Sequence, residues 1–171
     1  ATIRASLNEK SILLKCRRDF YTTASNQAKA NPVKAYIFGD KYDMTRSIAF
    51  VNLLLSHKIE VYETDKDQNI NNASFSKGTS YIVPTDQMNY IMVKSVFEKD
   101  ITYTDSLFYD ASTWSLPHAF GLPFQEIKSV FTKGNKIDKP LELTSPSFRE
   151  SHYGYLIDFR DYNVYKSLYA L

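Results

Sequence analysis

Between Val33 and Glu63 the spacing of apolar residues changes twice, and each change marks a new element. The run Val33-Lys-Ala-Tyr-Ile-Phe38 is almost continuously apolar, as expected of a strand covered on both faces. Gly39 and Asp40 interrupt it, and Gly39 permits a tight turn. From Asp43 to His57 the apolar residues Ile48, Phe50, Val51, Leu54 and Leu55 recur at helical spacing, with Asp43 or Thr45 in place as N-cap. Ile59-Glu-Val-Tyr-Glu63 then reads as a second strand. Strand, polar loop, amphipathic helix and strand in about thirty residues match the size of a right-handed βαβ crossover, which predicts parallel strands.

The flanking chain extends this pattern. Ile12, Leu13, Cys16, Phe20 and Ala24 fall near helical spacing and predict a helix over 9–30, capped by Ser6 or Asn8 and ended at Asn31-Pro32. Cys16 sits on its apolar stripe and reads as a small buried hydrophobe. Polar residues 64–74 read as a surface loop. A third strand is expected over 79–83, closed by Pro84, and a helix over 87–99 capped by Thr85 or Asp86. Further expectations are a short strand at 106–109, a helical turn near 116–121, a strand at 153–157 and a helix over 158–171. Alternating strands and helices predict an α/β fold: three layers, doubly wound, with a mostly parallel sheet of the flavodoxin-like or class I glutamine amidotransferase-like kind. Residues 1–31 form a lead-in helix and 32–171 the α/β domain.

Composition excludes more than it assigns. The 171 residues suit one domain with a real core. Charged residues make up 23% and the net charge is +2, with Lys and Arg scattered, so no basic run suits nucleic acid. The single cysteine, Cys16, precludes an internal disulfide. No apolar run is long enough to span a membrane. The chain starts at Ala1 without a charged and apolar leader and stops on Leu171, so it is expected to be a piece of a longer protein.

Several stretches together resemble a known arrangement. They are Ala35-Tyr-Ile-Phe-Gly-Asp40, Leu53-Leu-Leu-Ser-His-Lys-Ile-Glu-Val-Tyr62, Gly78-Thr-Ser-Tyr-Ile-Val-Pro84, Asp105-Ser-Leu-Phe-Tyr-Asp-Ala-Ser-Thr-Trp-Ser-Leu-Pro-His-Ala-Phe-Gly121 and Tyr155-Leu-Ile-Asp-Phe-Arg160. From about Ala30 onward the chain resembles the region that follows the peptidase domain in large bacterial zinc carboxypeptidases of the carboxypeptidase A-like metallopeptidase family. The resemblance implies a flavodoxin-like or amidotransferase-like domain. It also implies an adjacent peptidase domain as partner, zinc in that domain, and a secreted or periplasmic parent.

The chain itself lacks the chemistry of either relative. Only the spacing of His57-Lys-Ile-Glu60 matches the family's His-x-x-Glu zinc motif. A metal would need His57 and Glu60 with His118 or His152; the competing reading puts His57 at a helix C-terminus and Glu60 at a strand start. Amidotransferase chemistry needs a cysteine on a strand-to-helix turn, and the turn after the third strand is Pro84-Thr85-Asp86. No catalytic residue, metal ligand or cofactor is therefore expected in this chain. What is left is a polar rim. Asp40, Asp86, Asp110 and Asp158 fall at or beyond predicted strand ends, where open α/β sheets bind ligands, with Thr85, Tyr109, Trp114 and Arg160 beside them. One aspartate cap per helix explains the same pattern without a ligand. The expected function is a non-catalytic accessory domain of a zinc carboxypeptidase-like protein; the alternative is a small-molecule or peptide-binding domain using the rim.

Overall fold

The computed structural model describes residues 2–99, 115–143 and 150–170. In chain order the elements are α1 (Thr2–Asn8), α2 (Lys10–Ala30), β1 (Ala35–Phe38), α3 (Met44–Ser56), β2 (Tyr62–Glu63), β3 (Gln68–Ile70) and β4 (Ala73–Phe75). There follow β5 (Tyr81–Pro84), α4 (Tyr90–Phe97), α5 (Leu116–Ala119), β6 (Phe124–Ile127) and α6 (Val164–Ala170).

The main sheet has the order β2-β5-β1-β6, and every neighbouring pair is antiparallel. This overturns the expected doubly wound, mostly parallel sheet. β1 and β2 do point the same way, because each runs antiparallel to β5. They are not neighbours, however; β5 lies between them, with Ala35 opposite Pro84 and Tyr62 opposite Ile82. Leaving out the β3–β4 hairpin and α5, the chain runs β1-α3-β2-β5-α4-β6, a β-α-β-β-α-β arrangement with a split βαβ unit.

Two-sided burial explains why the strands read as parallel. All four residues of β1 and all four of β5 are buried. On one face Tyr36, Phe38, Tyr81, Val83 and Phe124 pack against Phe50, Val51 and Leu54 of α3 and Val93, Val96 and Phe97 of α4. On the other, Ala35, Ile37, Ile82 and Ile127 pack against Phe75, with Ile70, Ala73 and Phe131 beside them. A β-hairpin thus covers the face that a second helical layer covers in a doubly wound fold. Burying a Phe or Leu side chain contributes about 1.5–3 kcal/mol, so both faces of the sheet are held firmly.

Other boundaries moved for local reasons. The polar stretch 64–74 contains β3 and the start of β4, turned by Asn71 and Asn72 at φ 48° and 66°, a conformation asparagine tolerates. The expected strand at 59–63 shortens to Tyr62–Glu63, and its outer edge bonds to residues 134–137. Residues 153–157 form no strand and are largely exposed, and the last helix begins at Val164 rather than at Asp158. The expected strand at 106–109 lies outside the described residues.

The expected helix over 9–30 is α2, Lys10–Ala30, and a short helix that the sequence did not suggest, α1, precedes it. The two abut at Glu9, which is not helical (φ −97°, ψ 15°): Glu9 N–H donates to Ala5 O at 2.9 Å, and Leu13 N–H of α2 donates to Glu9 O at 3.0 Å. The exit of α2 follows the proline rule: Asn31 is extended, at φ −66° and ψ 129°. Only Ala24 and Ala28 of α2 are buried, against Tyr90 and Ile91 of α4. Cys16 is exposed, not buried as its place on the apolar stripe implied. No helix among the described residues is long and apolar enough to cross a membrane.

Candidate functional site

The direction of β5 decides the fate of the predicted rim. Asp40 follows β1, while Thr85 and Asp86 follow β5, which runs the opposite way. Thr85 and Asp86 therefore lie at the other end of the sheet from Asp40. Asp158 and Arg160 do come to the Asp40 end, where the Arg160 guanidinium sits 3.5 Å from the centre of the Tyr42 ring. Tyr109, Asp110 and Trp114 lie outside the described residues.

At the Asp40 end the central groups are Asp43 and Arg46. Asp43 is fully buried. It caps α3: Oδ1 accepts the Arg46 backbone N–H at 3.0 Å, and Oδ2 accepts Arg46 Nε–H at 2.6 Å and Tyr162 N–H at 2.8 Å. The Arg46 guanidinium also donates to Gly121 O at 3.0 Å, Phe120 O at 3.4 Å and Asp40 Oδ2 at 3.4 Å. One arginine thus ties the N-terminus of α3 to the turn after α5 and to Asp40, while its carboxylate partner holds the segment leading into α6. From the sequence Asp43 is legible only as a candidate cap and Arg46 not at all, although the Asp-x-x-Arg spacing on a helix start places the two side chains together.

Asp158 and Arg160 form a second, exposed pair. Arg160 Nε donates to both carboxylate oxygens of Asp158, at 2.9 and 3.1 Å. These bonds, with one from the Arg160 backbone N–H, hold the Asp158 carboxyl down at about 2. Beside Arg46 lies a cavity of about 560 Å³ lined by Thr45, Ala49, His118, Phe120, Gly121 and Tyr162.

At the opposite end, Thr85 is buried, with Oγ1 2.8 Å from Val33 O and 3.0 Å from Lys34 O. It satisfies backbone carbonyls where β1 begins. Asp86 is exposed on the wall of a cleft of about 590 Å³ that also carries Lys29, Lys34, Lys128 and Lys133. Lys34 Nζ is bonded to Asn31 O at 2.7 Å, Lys128 to Glu126 at 3.2 Å, and Lys133 covers the Tyr62 ring.

His57 ends α3, and its carbonyl accepts from Asn89 at 3.1 Å. The Glu60 carboxylate accepts from Lys136 Nζ at 2.7 Å and from the Tyr62 hydroxyl at 3.0 Å. Those bonds lower its pKa, Lys136 most of all. No three His, Cys, Asp or Glu side chains among the described residues come together as a cation-holding group.

With the site in view, comparison with known proteins adds no assignment: no protein-family model, curated protein or solved structure matches the chain. Function rests on the geometry. The described polar residues at both sheet ends bond chiefly to one another and to backbone, an arrangement that locks loops in place. Large apolar side chains, by contrast, stand in solvent along α1 and α2 (Ile3, Leu7, Leu13, Leu14, Phe20) and in the C-terminal segment (Leu156, Phe159, Tyr165).

Proposed function

We propose that this chain is a non-catalytic accessory domain that packs against a neighbouring domain or protein. The observation that carries the reading is the contrast between its polar and apolar groups. Asp43, Arg46, Thr85 and Glu60 hold the fold together, while α2 presents Leu14 at 56% and Phe20 at 54% exposure. Exposed apolar side chains grouped on one element mark an interaction surface. The neighbour implied by the resemblance is a zinc carboxypeptidase-like peptidase domain of an exported bacterial protein. The flavodoxin-like part of that resemblance does not carry over, because the sheet is antiparallel.

Metal content and release of C-terminal residues from peptides by the purified chain test the non-catalytic role. The expected result is no stoichiometric zinc and no hydrolysis. Stoichiometric zinc that is lost in His57→Ala or Glu60→Gln would make the chain a metalloprotein and overturn the reading.

A second reading is favoured by the cavity beside Arg46, whose volume of about 560 Å³ is within the range of small-molecule sites. Saturable shifts of the Thr45, His118 and Gly121 amide resonances on adding short peptides would move the conclusion to ligand binding.

A further inference from the structure

Helix α2, with α1 leading into it, carries a seam with a definite pattern. Ile3, Leu7, Lys10, Leu14, Arg17 and Tyr21 follow one another in steps of four and three, and the same steps continue to Ala24 and Ala28. This is the heptad spacing of helix-on-helix packing. Leu13 and Phe20 widen the seam on one side. Its C-terminal end is already used, since Ala24 and Ala28 dock on Tyr90 of α4. Leu13, Leu14 and Phe20 continue that side of α2 and are exposed, as are Ile3 and Leu7 of α1.

Two seam positions are cationic. Lys10 and Arg17 lie one heptad apart, and neither has an ion-pair partner among the described residues. Whatever covers the leucines also desolvates these two charges. A buried cation is tolerated only when paired. The occupant must therefore bring carboxylates to the same two levels of the seam.

A second copy of this helix cannot supply them. Its acidic residues, Glu9 and Asp19, fall outside the seam positions. Packing seam on seam would set Lys10 and Arg17 against leucines or against each other. Resting on the accessory-domain reading, we infer that the seam docks a helix of a different polypeptide or domain: an amphipathic helix with apolar seam residues and Glu or Asp at the positions facing Lys10 and Arg17. This is helix-in-groove recognition, with the charge pair setting register and partner choice.

The test uses the whole chain and two synthetic amphipathic helices, identical except at the two seam positions facing Lys10 and Arg17. One carries Glu there and the other Lys. Fluorescence anisotropy is expected to show the Glu peptide binding about tenfold or more tighter. The double variant Lys10→Glu/Arg17→Glu, checked for unchanged folding by circular dichroism, is expected to reverse the preference. Equal affinity for both peptides, or binding of neither, overturns the inference. So does a dimer of the chain, seen by sedimentation, that Leu14→Asp abolishes. These outcomes are independent of zinc and hydrolysis, so the inference and the accessory-domain reading fail separately.

Discussion

Arg46 Nε donates to Asp43 Oδ2 at 2.6 Å, and the carboxylate that accepts it is fully buried. The same oxygen accepts Tyr162 N–H, from a residue 119 positions away in sequence. The pair joins α3, the turn after α5 and the approach to α6. Asp43→Ala would strip the α3 N-cap and leave Arg46 and the Tyr162 N–H without their acceptor. The expected cost is about 2–4 kcal/mol, measured by urea unfolding. Asp43→Asn keeps an oxygen acceptor and is expected to cost less.

Gly39 makes the second prediction. Its φ is 144°, and a Cβ there would stand 2.7 Å from Ser80 Cα and closer still to Thr79 O. Both neighbours are backbone, so neither yields easily. Gly39→Ala should therefore destabilise by roughly 3 kcal/mol. Gly78→Ala, where a Cβ would meet nothing within 4 Å, should lose only the strain of its positive φ. The difference between their unfolding midpoints isolates the close approach of β1 to residues 79–80.

Tyr36 sets a limit on stability in alkali. Its ring stacks on Phe97 with centroids 4.5 Å apart, and burial, helped by the Glu126 charge, raises its pKa from 10.0 to about 12. A group whose folded pKa lies above its unfolded value contributes stability that is fully present below the unfolded value and lost as pH rises through the folded one. Stability should therefore fall between pH 10 and about 12. Tyr36→Phe should flatten that part of the profile, and absorbance titration should follow the phenolate directly.

The Glu60–Lys136 pair predicts an acid limb. Hydrogen bonding from Lys136, with a further bond from Tyr62, lowers the Glu60 pKa below 4.5. The stability it contributes is present above the unfolded value and lost as pH falls through the depressed one. The difference in unfolding midpoint between the wild type and Lys136→Met should be constant near neutrality and should vanish in acid. The effect is expected to be small, because both side chains are about two-fifths exposed.

The elements that were legible in the sequence were those set by local chemistry. Apolar runs marked β1 and β5, the start of α3 fell at Asp43, one of the two cap candidates, and Pro32 marked the exit from α2. Strand direction was not legible. Two-sided burial is the same whether a helix or the hairpin covers the second face of Ile37 and Ile82, and nothing local records that β5 inserts between β1 and β2. That one feature placed Thr85 and Asp86 at the opposite end of the sheet from Asp40. The role of Arg46 was hidden for a similar reason: its acceptors at Phe120 and Gly121 are more than seventy residues away. Tyr153–Ile157 read as a strand from its aromatic and branched residues, but it pairs with no strand among the described residues and is largely exposed, so propensity alone did not make it one.

The most direct test of the account is hydrogen exchange, residue by residue, along α2 in the purified chain. If the seam awaits a partner, amides 12–18 belong to a helix with no packing and should exchange fast, as short unsupported helices do. Amides 25–28, anchored through Ala24 and Ala28 on α4, should be protected to nearly the level of β1. Uniformly slow exchange from Lys10 onward would mean that the leucines are already covered in the chain alone. It would contradict the claim that this helix is the domain's docking surface.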